Sequence, residues 1–223
     1  HCTSSAASDV YKRQGLISVP CLFFIFETLN FDKDYLMHLT VGTAFTITIF
    51  TSTVSVITHN KNKLVDFSVV KTFGLFVVLG VLAGTVFASF MKTKMLVLFF
   101  SEVVYFFGAY LMMAQEQIKK IKPNSSITPR VFLGLFSGFV SAPMGITGAM
   151  MNVPILRYLG YPISKCIGSA AAIGFFISFT GSIGFLLSGF YFNVNLPFSI
   201  GFINIPAFIL FVPITSFMAK VGA

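Results

Sequence analysis

Gly145-Ile-Thr-Gly-Ala-Met-Met-Asn-Val-Pro154 is the part of the chain that most constrains its architecture, because it places two glycines and a proline inside a long apolar run. Proline removes a backbone donor and glycine loosens a helix, so such a run breaks and leaves backbone polar groups without partners. In a membrane these breaks persist only where protein or a watery cavity covers them. The stretch therefore indicates a broken membrane helix, the element from which transporters build substrate sites.

A shorter version of the same pattern occurs near the start of the chain, at Gly15-Leu-Ile-Ser-Val-Pro20. It shares with Ala149-Met-Met-Asn-Val-Pro154 a small residue, two apolar residues, a polar residue and Val-Pro. About twenty residues after each copy comes a glycine followed by a hydroxyl residue, Gly42-Thr43 and then Gly168-Ser169. Two ordered copies of one pattern predict two similar helical repeats, each with a broken helix.

Composition assigns the chain to the membrane proteins. Hydrophobic residues make up 56% and charged residues 10% of the 223 residues, with a mean hydropathy of +0.88. A membrane span needs roughly 20 apolar residues. The stretches that meet this length are 37–58, 69–90, 95–114, 131–159, 166–189 and 198–219. A shorter apolar stretch lies at 15–29. We predict an all-α polytopic membrane protein with about seven membrane segments of an expected eight, in which 131–159 is either a broken helix or a helix with a re-entrant piece.

The predicted domain organisation is a single transmembrane domain, 15–223. Its first repeat is 15–114 and its second 129–223, joined by a basic loop at 115–128. Residues 1–14 are polar, lack the apolar centre of a signal peptide and resemble a cloning scar. Comparison of the repeats predicts a further half-broken helix before the chain and a further span after it. Whether the repeats are inverted or parallel stays open, because that depends on how many times each one crosses the membrane.

The formal net charge of +8 comes from basic residues that cluster in connections. The sequence shows no basic, aromatic-studded face of the kind that binds nucleic acid. The positive-inside rule predicts a cytoplasmic loop at 115–130, with Asp32 and Asp34 outside. The same count places Lys61 and Lys63 inside, and on the opposite side it leaves Lys92, Lys94, Arg157 and Lys165.

Catalytic signatures are absent from the sequence. It contains no HExxH, no nucleotide-binding glycine loop and no P-loop lysine. Cys21 and Cys166 lack the spacing of metal ligands. Ser137 or Ser141 would act as a nucleophile only with a general base at membrane depth. We therefore predict no enzymatic activity, no cofactor and no metal site.

The motifs resemble those of the TauE/SafE family of sulfite and organosulfonate exporters. Its members carry a glycine-rich segment ending in Val-Pro-x-Leu near the start of each of two repeats, followed by a Gly-Thr-Ser-like motif. The segment 145–156 fits the second copy, 15–22 fits the tail of the first, and the resemblance extends over 15–223. Thr147 and Ala149 stand where the family usually has glycine.

The resemblance implies a carrier that moves sulfite or an organosulfonate across the inner membrane by alternating access. No Lys or Arg lies mid-span near either motif, so we expect helix N-termini and neutral side chains to bind the anion. The expected substrate-binding residues are Ser18, Pro20, Gly42, Thr43, Gly145, Gly148, Asn152, Pro154, Gly168 and Ser169. Glu102, inside a predicted span, is the candidate for proton coupling.

Purely structural roles are alternatives to some of these functional ones. The hydroxyls of Thr43 and Ser169 also suit a bond to a carbonyl one turn earlier, and Glu102 also suits a protonated residue bonded within the bundle. The spacings Gly80-xxx-Gly84 and Gly134-xxx-Gly138 predict close helix packing.

Two other functions stay open, a passive anion channel and a membrane assembly protein without transport. Repeated breaks favour a carrier over an assembly protein. The expected partners are a small anion and the lipid bilayer. The anion, its direction, the coupling ion and the oligomeric state stay undetermined.

Overall fold

A computed structural model describes residues 17–113, 127–147, 149–194 and 196–222. In chain order, these ranges form α1 (Ile17–Thr28), α2 (Leu36–Lys61), α3 (Phe67–Thr72), α4 (Gly74–Ser89), α5 (Thr93–Met113), α6 (Ile127–Met144), α7 (Ala149–Tyr158), α8 (Ile163–Tyr191), β1 (Ser199–Ile200), β2 (Ile203–Asn204) and α9 (Ile205–Gly222). The strands pair antiparallel, with Ser199 opposite Asn204. The predicted scar, Gly148 and most of the basic loop lie outside the described residues.

Three helical segments among the described residues are long and apolar enough to cross a membrane: Leu36–Lys61, Phe67–Ser89 and Ile163–Tyr191. The second contains both α3 and α4, which form one span because the hydrogen bonding continues through Phe73. Its N–H donates to the Val69 carbonyl at 2.8 Å, and its carbonyl accepts from the Val77 N–H at 3.2 Å. The prediction of a helical membrane protein is confirmed, while the number of seven spans stays a prediction.

The two longest helices, α2 and α8, pack along each other at the centre of the bundle. A Cβ built on Gly42 would lie 3.2 Å from the Phe185 Cβ. Six residues further along α2, the Thr48 hydroxyl donates to the Ser178 hydroxyl at 3.1 Å. The partner numbers on α8 fall as those on α2 rise, so the two helices run antiparallel.

Helices α4 and α6 approach backbone to backbone through their glycines. A Cβ built on Gly84 would lie 2.5 Å from the Phe139 carbonyl oxygen, and one on Gly80 or Gly138 would overlap the opposing backbone. Only hydrogen fits at these positions, which is how small residues drive helix association in lipid. The predicted packing role of these glycine pairs is confirmed.

Helices α6 and α7 form a hairpin that folds back at Gly145. The Ser137 hydroxyl donates to Asn152 Oδ1 at 2.6 Å across 15 residues, a separation of about 22 Å if one helix continued through both. Gly145 has a φ of 66°, a left-handed conformation that glycine adopts without strain. The apolar stretch at 131–159 is therefore a broken helix whose second part turns back.

The span predicted at 198–219 begins too early. Residues 198–204 form the two short strands and their turn, and α9 begins only at Ile205. Phe198 and Gly201 have φ values of 53° and 57°, which no helix accommodates. Asn204 then caps α9, because its side-chain Oδ1 accepts the Ala207 N–H at 3.0 Å. Apolar composition alone does not separate such a hairpin from the start of a span.

The fold-back also changes the expected distribution of charge. Because α7 returns to the side from which α6 starts, Arg157 and Lys165 lie at the same end of the bundle as the C-terminus of α2. The prediction that they lie on the side opposite Lys61 and Lys63 is therefore wrong. Lys165 Nζ lies 3.6 Å from Asp66 Oδ2, and the Arg130 guanidinium lies 5.8 Å from the centroid of the Tyr161 ring. This basic end of the bundle contains Lys61, Lys63, Arg130, Arg157 and Lys165.

Candidate functional site

The two copies of the motif meet where α6 folds back. A Cβ built on Gly145 would lie 3.3 Å from Val19 Cγ2 of α1 and 3.2 Å from Val41 Cγ1 of α2. Val19 belongs to the first copy, and Val41 directly precedes its follow-on motif. Beyond the turn, the Thr147 carbonyl oxygen would lie 3.2 Å from a Cβ built on Gly174 of α8. The fold-back therefore inserts among α1, α2 and α8.

Three buried polar side chains accompany the fold-back: Ser137 and Ser141 on α6 and Asn152 on α7, at most 1% exposed. Asn152 Oδ1 accepts the Ser137 bond. Asn152 Nδ2 and Ser141 Oγ have no hydrogen-bond partner within the described part of the chain. An unmet buried donor costs about 1–3 kcal/mol, and a native protein that retains one usually uses it for a ligand, an ion or water.

Ser141 also lines a small closed cavity together with Phe107, Met144, Ile146, Met150 and Met151. The cavity volume of about 10 Å³ leaves room for one water at most. An oxyanion of several heavy atoms enters only if α5, α6 and α7 move apart. The unbranched methionine side chains adapt to such a change.

The polar groups beside the fold-back are neutral. On their own helices, Arg130 lies seven residues before Ser137 and Arg157 five residues after Asn152, distances of about 10 Å and 7.5 Å along the helix axes. Throughout the described ranges, lysines and arginines occupy connections or the terminal turns of helices. Within the described part of the chain, the site therefore consists of hydrogen-bond donors without a fixed cation.

The hydroxyls of Thr43 and Ser169 hold distant backbone segments. The Asn204 N–H donates to Thr43 Oγ1 at 3.0 Å, and the Asp66 N–H donates to Ser169 Oγ at 3.0 Å. Asn204 and Asp66 occupy matching places, since each follows a long helix and caps the next one. Thr43 on α2 therefore holds the segment that follows α8, and Ser169 on α8 holds the segment that follows α2. The sequence does not reveal this role.

The glycines beside these hydroxyls permit the same contact. A Cβ built on Gly168 would lie 2.5 Å from the Leu64 carbonyl oxygen, and one built on Gly42 would overlap the Phe202 carbonyl. In both places the contacted carbonyl lies two residues before the donating N–H. The two glycine–hydroxyl pairs therefore make the same contact in reciprocal directions.

The remaining predicted residues are more dispersed. Ser18 and Pro154 are half-buried and Pro20 is exposed. Glu102 is exposed on α5, at the outer surface of the described bundle, and its proton-coupling role stays a prediction. Ser137 and Ser141 are absent from the predicted substrate set. Their spacing of four residues on the helix before the break places both on one face, a signal that was available in the sequence.

Comparisons with known proteins agree on a class. A family profile described as "Sulfite exporter TauE/SafE" matches residues 14–223. A protein of Haemophilus influenzae named a probable membrane transporter is 25% identical over 213 residues, which cover 94% of this chain and 79% of the relative. A probable membrane transporter of Methanocaldococcus jannaschii is 26% identical over 211 residues, covering 93% of this chain and 76% of its own length. No solved structure matches the chain.

Proposed function

The chain belongs to the sulfite exporter TauE/SafE family, and from that premise we propose a secondary carrier that moves sulfite or an organosulfonate across the inner membrane by alternating access. Its substrate site lies at the fold-back between α6 and α7. Asn152 Nδ2 and Ser141 Oγ donate to the oxygens of the anion, while the Ser137 bond fixes the Asn152 amide.

The observation that carries this proposal is the pair of buried donors that have no partner in the described residues. Sulfite and sulfonates present several acceptor oxygens and no strong donor, so they complement amide and hydroxyl donors. Helix α7 begins at Ala149, directly after the break. Its first backbone N–H groups and its dipole favour a negative charge at the same place.

The other predicted site residues act indirectly in this proposal. Gly145 permits the chain reversal that brings Asn152 beside α6. The pairs Gly42-Thr43 and Gly168-Ser169 hold backbone segments around the site rather than the anion itself. Direct substrate contacts from Ser18, Pro20, Gly148 and Pro154 stay predictions.

Inverted repeats are the arrangement that best supports alternating access in this chain. Helices α2 and α8 carry corresponding motifs and run antiparallel, as inverted repeats require. Reciprocal contacts between equivalent positions are what an approximate two-fold axis produces. We propose that the Thr43–Asn204 and Ser169–Asp66 contacts lie at opposite ends of the bundle and that one loosens while the other holds.

The test is flux of labelled sulfite into liposomes that contain the purified chain, compared with empty liposomes. We expect saturable flux, and we expect Ser141→Ala to lower it roughly 10- to 100-fold because one hydrogen bond to a charged group is lost. Ser141 Oγ bonds to nothing among the described residues, so this variant keeps or gains thermal stability. Ser101→Ala is the matched control, since among the described residues the exposed Ser101 side chain bonds only to the Val97 carbonyl of its own helix.

Two results would contradict the proposal. If the unmodified protein moves neither sulfite nor methanesulfonate, the proposed substrate is wrong. Normal flux in Ser141→Ala at unchanged stability removes Ser141 from the site.

A further inference from the structure

We propose that the fold-back site selects its substrate by charge, accepting singly charged oxyanions such as hydrogen sulfite and alkyl sulfonates and rejecting doubly charged ones such as sulfate. The proposal rests on the proposed function and specifies the substrate class of that same site.

The groups that form the site are neutral. Asn152 and Ser141 are neutral donors, and neither is more than 1% exposed. The lysines and arginines whose positions are described lie at helix ends and in connections. A bound anion therefore keeps its charge uncompensated apart from hydrogen bonds and the dipole of α7, which is equivalent to about half an elementary charge.

Desolvation penalises a doubly charged anion more than a singly charged one. Moving an ion from water into a medium of low dielectric constant costs a free energy that grows with the square of its charge, so a doubly charged ion pays about four times the penalty of a singly charged one of equal size. Attraction to donors and a helix dipole grows only in proportion to the charge. Without a fixed cation, the second charge therefore adds more penalty than attraction.

The basic end of the bundle attracts anions of either charge. Arg130 and Arg157 belong to this end, about 10 Å and 7.5 Å along their helices from Ser137 and Asn152. They raise the local anion concentration at this end of the bundle. Because they lie one or more helical turns from the fold-back, they compensate a second charge there less than a cation in direct contact would.

The experiment compares three labelled anions in liposomes that contain the unmodified protein, with empty liposomes subtracted at each pH. Methanesulfonate carries one charge and sulfate two across the neutral range, whereas sulfite changes from one to two charges near neutral pH. We expect methanesulfonate flux that hardly varies with pH and sulfate flux at least roughly 100-fold lower. Sulfite flux should fall by up to about tenfold per pH unit once the doubly charged form predominates.

The outcomes separate this inference from the proposed function. Charge selection is overturned if sulfate flux lies within about tenfold of methanesulfonate flux. It is also overturned if sulfite flux does not follow the singly charged fraction of sulfite while methanesulfonate flux stays constant. Either result leaves the carrier function intact. Absence of flux for sulfite and methanesulfonate at every pH overturns both. Methanesulfonate serves as the control for any pH effect on the protein itself.

Discussion

Replacing Ser137 and Asn152, singly and together, measures whether α6 truly folds back onto α7. The hydroxyl of one donates to the amide oxygen of the other at 2.6 Å, with both side chains fully buried. If the helix continued straight, the same side chains would lie about 22 Å apart. Their energetic coupling is therefore a direct measure of the hairpin.

The expected coupling follows from interhelical hydrogen bonds in other membrane proteins, which contribute about 0.6 kcal/mol on average and up to about 1.7 kcal/mol. This bond is short and buried, so we expect a coupling near the upper end. Each single alanine variant also leaves its partner without a hydrogen bond in an apolar surrounding, which costs about 1–3 kcal/mol. The double variant should then be less destabilised than the sum of the two singles.

The assay is unfolding by sodium dodecyl sulfate in mixed micelles, followed by far-ultraviolet circular dichroism because the chain contains no tryptophan. Ser101→Ala combined with Asn152→Ala is the control cycle, since the exposed Ser101 lies on α5 and bonds within its own helix. Its coupling should stay within about 0.3–0.5 kcal/mol of zero. A Ser137–Asn152 coupling no larger than that of the control cycle would refute the hairpin and the site built on it.

Three further predictions concern packing, backbone contacts and surface charge. Gly138→Ala should destabilise the protein by about 1–3 kcal/mol through overpacking against the Val77 carbonyl. Gly108→Ala should not, since a Cβ there meets none of the described residues within 4 Å. Equal midpoints in the same unfolding assay would contradict the α4–α6 contact. Ser169→Ala removes the acceptor of the Asp66 N–H and should cost about 0.5–1.5 kcal/mol in that assay, and an unchanged midpoint would argue against the contact. Lys165→Gln should lower the melting temperature slightly at low salt and not at high salt, because its ion pair is half-exposed; a large loss at high salt would show a different role.

Composition and the repeated motif were sufficient to predict the membrane class and the position of the break. Charged residues are too few for a soluble domain of this size, and Gly145 with its neighbouring prolines interrupts an apolar run. The direction of the chain after the break was not predictable. A kinked helix and a fold-back share the same local residues, and the choice depends on the left-handed φ of Gly145 and on the tertiary bond from Ser137 to Asn152.

The roles of Thr43 and Ser169 could not be predicted from the sequence alone, because these roles also depend on tertiary contacts. Their partners, Asn204 and Asp66, lie 161 and 103 residues away along the chain. Local spacing contains no information on such pairings. The hairpin at 198–204 was missed because its residues are as apolar as those of a span, and only the backbone angles of Phe198 and Gly201 separate the two.

The most direct test of the central claim is counterflow of labelled methanesulfonate in liposomes that contain the protein and are preloaded with the unlabelled anion. With equal potassium on both sides and valinomycin to hold the membrane potential at zero, a carrier with one alternating site accumulates label transiently above equilibrium, and a channel does not. We predict a transient overshoot that is strongly reduced in Ser141→Ala and retained in Ser101→Ala. Equilibration without an overshoot would indicate a passive channel, and an undiminished overshoot in Ser141→Ala would place the site away from the fold-back.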